Sequence, residues 1–139
     1  MGNTISYKTV SFDDVIYVQN HPESWVIITT LPDSSKCLIN STCPIENEVD
    51  VLNEIIDKNK KMNIIIYGSS SNDQSVIKKY NQLLKLGFKS VYIYMGGLFE
   101  WLLLQDVYSN DMFGTTTQEL DILKYKGESI TQNTHRIPS

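Results

Sequence analysis

Hydrophobic and polar positions along the chain follow two periods that take turns. Continuous apolar, largely β-branched runs occur at Trp25-Val26-Ile27-Ile28-Thr29, at Ile64-Ile65-Ile66 with Tyr67, and at Val91-Tyr92-Ile93-Tyr94. Runs of this kind, with no polar alternate, suit strands covered on both faces. Between them the period becomes helical. Val49, Leu52, Ile55 and Ile56 recur at helical spacing within residues 46–57, with carboxylates in the first turn, which predicts an amphipathic helix. Val76, Ile77, Tyr80, Leu83 and Leu84 repeat the pattern, and Leu86-Gly87-Phe88 reads as its glycine-terminated end. Val10-Ser11-Phe12-Asp13-Asp14 predicts a short strand, a serine cap and a helix to about Gln19. A further short strand is expected at Cys37-Leu38-Ile39, and a helix start at Thr115-Thr116-Thr117-Gln118-Glu119-Leu120.

Strands that alternate with helices, each strand buried on both faces, predict the α/β class: an open parallel sheet with helices on both sides. The 139 residues make one domain, read as a short N-terminal segment (1–7), the domain itself (8–125) and a polar tail (126–139). Ligands of such sheets bind outside the carboxyl ends of the strands. That rule makes Gly68, Ser69, Ser70, Ser71, Asn72 and Asp73, directly after Tyr67, the first place to look for function.

Composition narrows the partners. Twelve basic residues against sixteen acidic ones give a net charge of −4, with no basic cluster along the sequence. Broad contact with nucleic-acid phosphates is therefore not expected. No run approaches the roughly 18 apolar residues of a membrane span. Cys37 and Cys43, without a secretory h-region before them, fit a reducing cytoplasm. His21 and His135 have no spaced Cys, His or Asp partners, so both read as surface residues and neither a metal nor a cofactor is expected.

The order of elements, then Leu86-Gly87-Phe88, Val91-Tyr92 and Gly96-Gly97-Leu98-Phe99-Glu100-Trp101, resembles a rhodanese domain over about residues 8–105. The run from Met95 through Tyr108 also resembles a narrower rhodanese-like group of large DNA viruses and some protists, which would carry a Gly and a Pro where this chain has Ser109 and Gly114. The resemblance implies a cysteine nucleophile in the loop that follows the strand ending at Tyr67, taking up sulfane sulfur as a persulfide. Aligned by that strand, the position falls at Gly68, or at Ser69 one residue on. Neither carries sulfur, and a serine hydroxyl has neither the low pKa nor the polarizability of a thiolate. Where many active rhodaneses place an arginine, this chain has Asp73, a carboxylate at a helix start that stabilises the helix and repels an anionic donor such as thiosulfate. The resemblance thus implies the fold without its catalytic residue, with Gly96, Gly97 and Trp101 serving tight packing and core. A sulfurtransferase working through Cys37 or Cys43, and a phosphate or nucleotide site in the small-residue loop, are the alternatives.

At the N-terminus, Met1-Gly2-Asn3-Thr4-Ile5-Ser6 fits the myristoylation pattern, with Gly2 as the acceptor. A single acyl chain binds membranes only marginally, and the sequence offers no obvious second signal, since Lys8 stands alone and no cysteine lies near Gly2; stable attachment then requires a partner protein, oligomer avidity or an acyl pocket. The resulting expectation is a catalytically inactive binding or scaffold protein, cytoplasmic and peripheral to membranes. The viral likeness adds the virion as a location.

Overall fold

The computed structural model describes residues 7–32, 34–58 and 61–127. The elements are β1 (Thr9–Val10), α1 (Phe12–Gln19), β2 (Trp25–Thr29), α2 (Glu48–Asp57), β3 (Asn63–Tyr67), α3 (Gln74–Lys85), β4 (Val91–Tyr94) and α4 (Gly97–Val107). Short 3-10 turns lie at Ile45–Asn47 and Ile122–Tyr125. The strands form one sheet in the order β1-β4-β3-β2, and every neighbouring pair is parallel. This is the expected α/β architecture.

Alternate side chains of a strand point to opposite faces, and the sheet divides its apolar residues accordingly. Ile27, Ile65, Tyr67 and Tyr94 pack on one face with Val15 and Val18 of α1 and Leu98, Trp101 and Leu102 of α4. Ile28, Ile64, Ile66, Val91 and Ile93 pack on the other with Leu52 and Ile55 of α2 and Val76, Tyr80 and Leu83 of α3. Ile64, Ile65 and Ile66 are completely buried, as an unbroken apolar run on a central strand requires.

Helix ends follow the local chemistry of the sequence. Asp14 reaches back to accept the backbone N–H of Ser11 at 2.9 Å, fixing the start of α1. α3 ends in a Schellman arrangement: Phe88 N–H donates to the Leu83 carbonyl and Gly87 N–H to that of Leu84, with Gly87 at φ +103. Trp101 is core, as expected. Its ring lies edge-on to Tyr94 and Phe113, and its Nε1 donates to the Gly114 carbonyl at 3.0 Å.

Three local expectations are corrected. Cys37-Leu38-Ile39 is not a strand: the segment is extended, with a single antiparallel bridge from Ile39 to Thr115. Residues 115–120 do not start a helix, because the backbone of Thr116 is spent on Leu38 and its hydroxyl on Lys36. Val49, Ile56 and Leu84 are exposed, leaving Leu52 and Ile55 as the inward stripe of α2 and Val76, Tyr80 and Leu83 as that of α3.

The loop after the third strand and the cleft beside it

β3 is a central strand, so its carboxyl end delivers the 68–73 loop to the sheet edge where α/β sites form. Asp73 organises this loop. As the N-cap of α3, it accepts the backbone N–H of Ser75 on Oδ1 at 3.0 Å. The Ser75 hydroxyl donates to the same oxygen and also lies 2.7 Å from the Thr30 hydroxyl. Oδ2 turns back into the loop, accepting the Ser69 N–H at 3.0 Å and the Ser69 hydroxyl at 3.2 Å. Burial works to raise the Asp73 pKa, but these four donors outweigh it and hold the carboxyl below its ordinary value. Asp73 is thus a resident carboxylate inside the loop.

The same arrangement fills the space above Gly68. A Cβ built there would fall 2.4 Å from Asp73 Oδ2 and 2.7 Å from Val76 Cγ2. A side chain at 68 therefore requires Asp73 to move. From the other side the loop is held by the start of α4. Leu98 N–H donates to the Gly68 carbonyl at 2.9 Å and Phe99 N–H to that of Ser69 at 2.8 Å. Gly97 permits this approach: its φ is +65, and a Cβ would lie 2.7 Å from the Gly68 carbonyl oxygen. Gly96 is the cap of α4 in ordinary helical conformation. Gly97 thus keeps two backbones in contact.

Tyr67 joins the loop to the opposite wall. Its carbonyl accepts from Thr30 N–H at 3.0 Å and from the Thr29 hydroxyl at 3.1 Å. Its hydroxyl accepts the Ile39 N–H at 3.0 Å and meets the Thr42 hydroxyl at 2.8 Å, while Thr42 donates to the Ile39 carbonyl at 2.6 Å. Burial pushes the Tyr67 phenol up to about 12, against the hydrogen bonds of this closed ring, which work to lower it. Segment 39–42 is fixed to the sheet by these bonds.

A cleft of about 540 Å³ opens between the 31–37 segment and residues 117–125, with Ser69 on its lining. Lys36, Cys37, Glu119, Lys124 and Tyr125 also line it, and Lys124 Nζ lies 3.3 Å from Glu119 Oε1. Cys37 is almost completely buried and its thiol donates to the Thr117 carbonyl at 3.3 Å. Burial pushes this thiol above its ordinary pKa, against hydrogen bonding from Thr115 and Thr117. Cys43 packs against the core on the opposite face of the sheet from Cys37 and is also raised, by burial and then by Glu48 and Glu46. Neither sulfur is poised as a thiolate.

Of the residues singled out in the sequence, the structure joins the 68–73 loop to Gly97 and brings Cys37 to the same cleft as Ser69. It leaves Cys43 outside that cleft. His21 is half-buried, stacked on Tyr17, with Nδ1 2.8 Å from the Tyr17 carbonyl. Gly2 and His135 lie outside the described residues. Among the described residues there is no group of three or more metal-ligating side chains and no helix long and apolar enough to cross a membrane. Sequence reasoning missed the 113–125 segment as a wall. The β-branched triplet Thr115-Thr116-Thr117 carried a signal for extended pairing.

An open parallel sheet, a small-residue loop leading into a capped helix, and a glycine seating the next helix on that loop define one class of α/β domain. The chain belongs to the Rhodanese-like domain family, whose model matches residues 15–104. No curated protein matches it. Among solved structures, the BH2092 protein from Bacillus halodurans is similar at 14% identity and TM-score 0.57, over 93% of this chain and 90% of that one. The Alr3790 protein from Anabaena sp. is similar at 20% identity and TM-score 0.50, over 84% and 98%. EanB, in complex with ergothioneine linked to a persulfide cysteine, aligns at 14% identity and TM-score 0.48, over 75% of this chain and 33% of that one. At these identities the likeness is one of fold.

Proposed function

We propose that this chain is a rhodanese-like binding or scaffold module without sulfurtransferase activity, N-myristoylated at Gly2 and weakly associated with membranes. The seat of Asp73 carries the first part. Its carboxylate stands where a side chain at 68 would project, and it uses the Ser69 donors that would otherwise meet an anionic sulfur donor. A thiolate needs positive potential to form and to receive thiosulfate, and a fixed carboxylate supplies the opposite. The same occupancy weakens the reading of the loop as a phosphate or nucleotide site.

The second reading is a sulfurtransferase acting through Cys37, favoured by its place on the cleft beside Ser69. Its raised thiol pKa argues against it. The membrane part rests on the Gly2 pattern, and likeness to the viral group adds the infected-cell cytoplasm or the virion as a location. Thiosulfate:cyanide turnover by the wild type, Cys37→Ser and Cys43→Ser is expected to match the uncatalysed rate throughout. Turnover in the wild type that one cysteine variant loses overturns the proposal. Intact-mass measurement after eukaryotic expression is expected to find a myristoyl group on the wild type and none on Gly2→Ala.

A further inference from the structure

Every strand runs the same way, so the segments leading into the strands all meet at the amino edge of the sheet, opposite the 68–73 loop. Three of them bring lysines there from distant parts of the sequence. Lys8 precedes β1, Lys58 is the C-cap of α2, Lys85 is the last residue of α3 and Lys89 precedes β4; Lys61, just before β3, makes a fifth. All five are exposed. The acids on these same segments are Glu23, before β2, and Glu54 and Asp57 of α2, with Glu54 paired to Lys58 at 3.2 Å. Among the described residues, five lysines against three carboxylates make this edge positive on a chain whose net charge is −4. Leu86, exposed between Lys85 and Lys89 in sequence, gives the edge an apolar point.

The N-terminal segment enters the domain at this edge. Tyr7 packs edge-on against Tyr80 at 5.4 Å, and the Lys8 N–H donates to the Tyr80 hydroxyl at 3.3 Å. Chain geometry alone keeps Gly2 within about 18 Å of Tyr7, at up to 3.6 Å per residue. An acyl group on Gly2 is therefore tethered within that distance of Tyr7, at the edge that carries the lysines. A lone myristoyl chain binds membranes with a constant of only about 10⁴ M⁻¹, and a basic surface is one of the second signals that make such binding stable.

We infer that the amino edge of the sheet, with Lys8, Lys58, Lys61, Lys85 and Lys89, is a docking face for an anionic lipid bilayer and acts as the electrostatic partner of the acyl group. The inference rests on the lipidation reading above. Each lysine at an anionic surface strengthens binding by about fivefold at physiological salt. With the amino edge on the bilayer, the 68–73 loop and its cleft face away from it, open to a protein partner.

The test uses the full chain, acylated by co-expressed N-myristoyltransferase and checked by intact mass, in co-sedimentation with phosphatidylcholine vesicles with and without phosphatidylserine. The acylated wild type is expected to prefer the phosphatidylserine vesicles and to lose that preference in high salt. The double variant Lys61→Glu/Lys89→Glu is expected to weaken this binding by at least about tenfold, with circular dichroism unchanged. Lys78→Glu, nearer the other end of α3, is expected to leave it within about twofold. Equal binding to both vesicle types, or binding indifferent to the double variant, overturns the docking face while the lipidation reading stands. Absence of the acyl mass overturns the lipidation reading and this inference with it.

Discussion

A side chain at position 68 and the carboxylate of Asp73 compete for one space: a Cβ on Gly68 would lie 2.4 Å from Asp73 Oδ2. Gly68, at the end of β3, has no side chain, and the volume is taken by a carboxylate bound to four donors of its own loop and helix start. Loop, cap and missing side chain form one arrangement.

Removing the carboxylate exposes its structural role. Asp73→Ala is expected to lose about 1–2 kcal/mol in urea unfolding at neutral pH, from the N-cap and the bonds to Ser69. Because the folded-state pKa of Asp73 is depressed, its contribution is complete above the unfolded value near 3.9 and is lost as pH falls through the lower folded value. The gap between wild type and variant is therefore expected to narrow below about pH 4, which urea midpoints over an acid series will measure.

Two glycines with positive φ give contrasting outcomes. Gly87→Ala meets no atom within 4 Å, so only backbone strain is expected, about 1 kcal/mol. Gly97→Ala adds contact with the backbone of Gly68, Ser69 and Ser70, and is expected to cost about 3 kcal/mol or more by displacing the loop. Thermal melts of the two variants side by side check the order.

Tyr67→Phe leaves the buried N–H of Ile39 without its acceptor and breaks the ring through Thr42. A loss of about 1–3 kcal/mol is expected. The folded phenol titrates at about 12, above its free value near 10, so the stability this group supplies is complete below pH 10 and is lost as pH rises through 12. Unfolding free energies between those limits are expected to fall faster in the wild type than in Tyr67→Phe.

The cysteines differ in access. Cys37 is buried, with its thiol bound to Thr117, whereas Cys43 is partly exposed. Iodoacetamide under native conditions is expected to label Cys43 first and Cys37 only as the chain unfolds, as read by peptide mass mapping.

The sheet was legible in the sequence because central parallel strands write themselves as unbroken runs: Ile64, Ile65 and Ile66 have no solvent face to encode. The caps were legible because Ser11, Asp73 and Gly87 act within a few residues of themselves. Contacts between distant segments were not. Thr116 serves Leu38 and Lys36, so a triplet that reads locally as a helix start is spent on bonds across 78 and 80 positions of chain. Val49 and Ile56 sit at the margins of the stripe set by Leu52 and Ile55, and periodicity alone does not say where a stripe ends. In the site, the cap role of Asp73 was readable, but the turn of its second oxygen onto Ser69 depends on how α4 presses the loop. The lysines of the amino edge belong to separate segments and meet only in the folded sheet.

The most direct test of the closed loop is sulfur uptake, measured by intact mass after the reduced chain is incubated with thiosulfate and freed of excess donor. The expected spectrum keeps the starting mass in the wild type and in Cys37→Ser. A stable gain of one sulfur atom in the wild type, lost in Cys37→Ser, would contradict the account and place sulfur chemistry in the cleft beside Ser69.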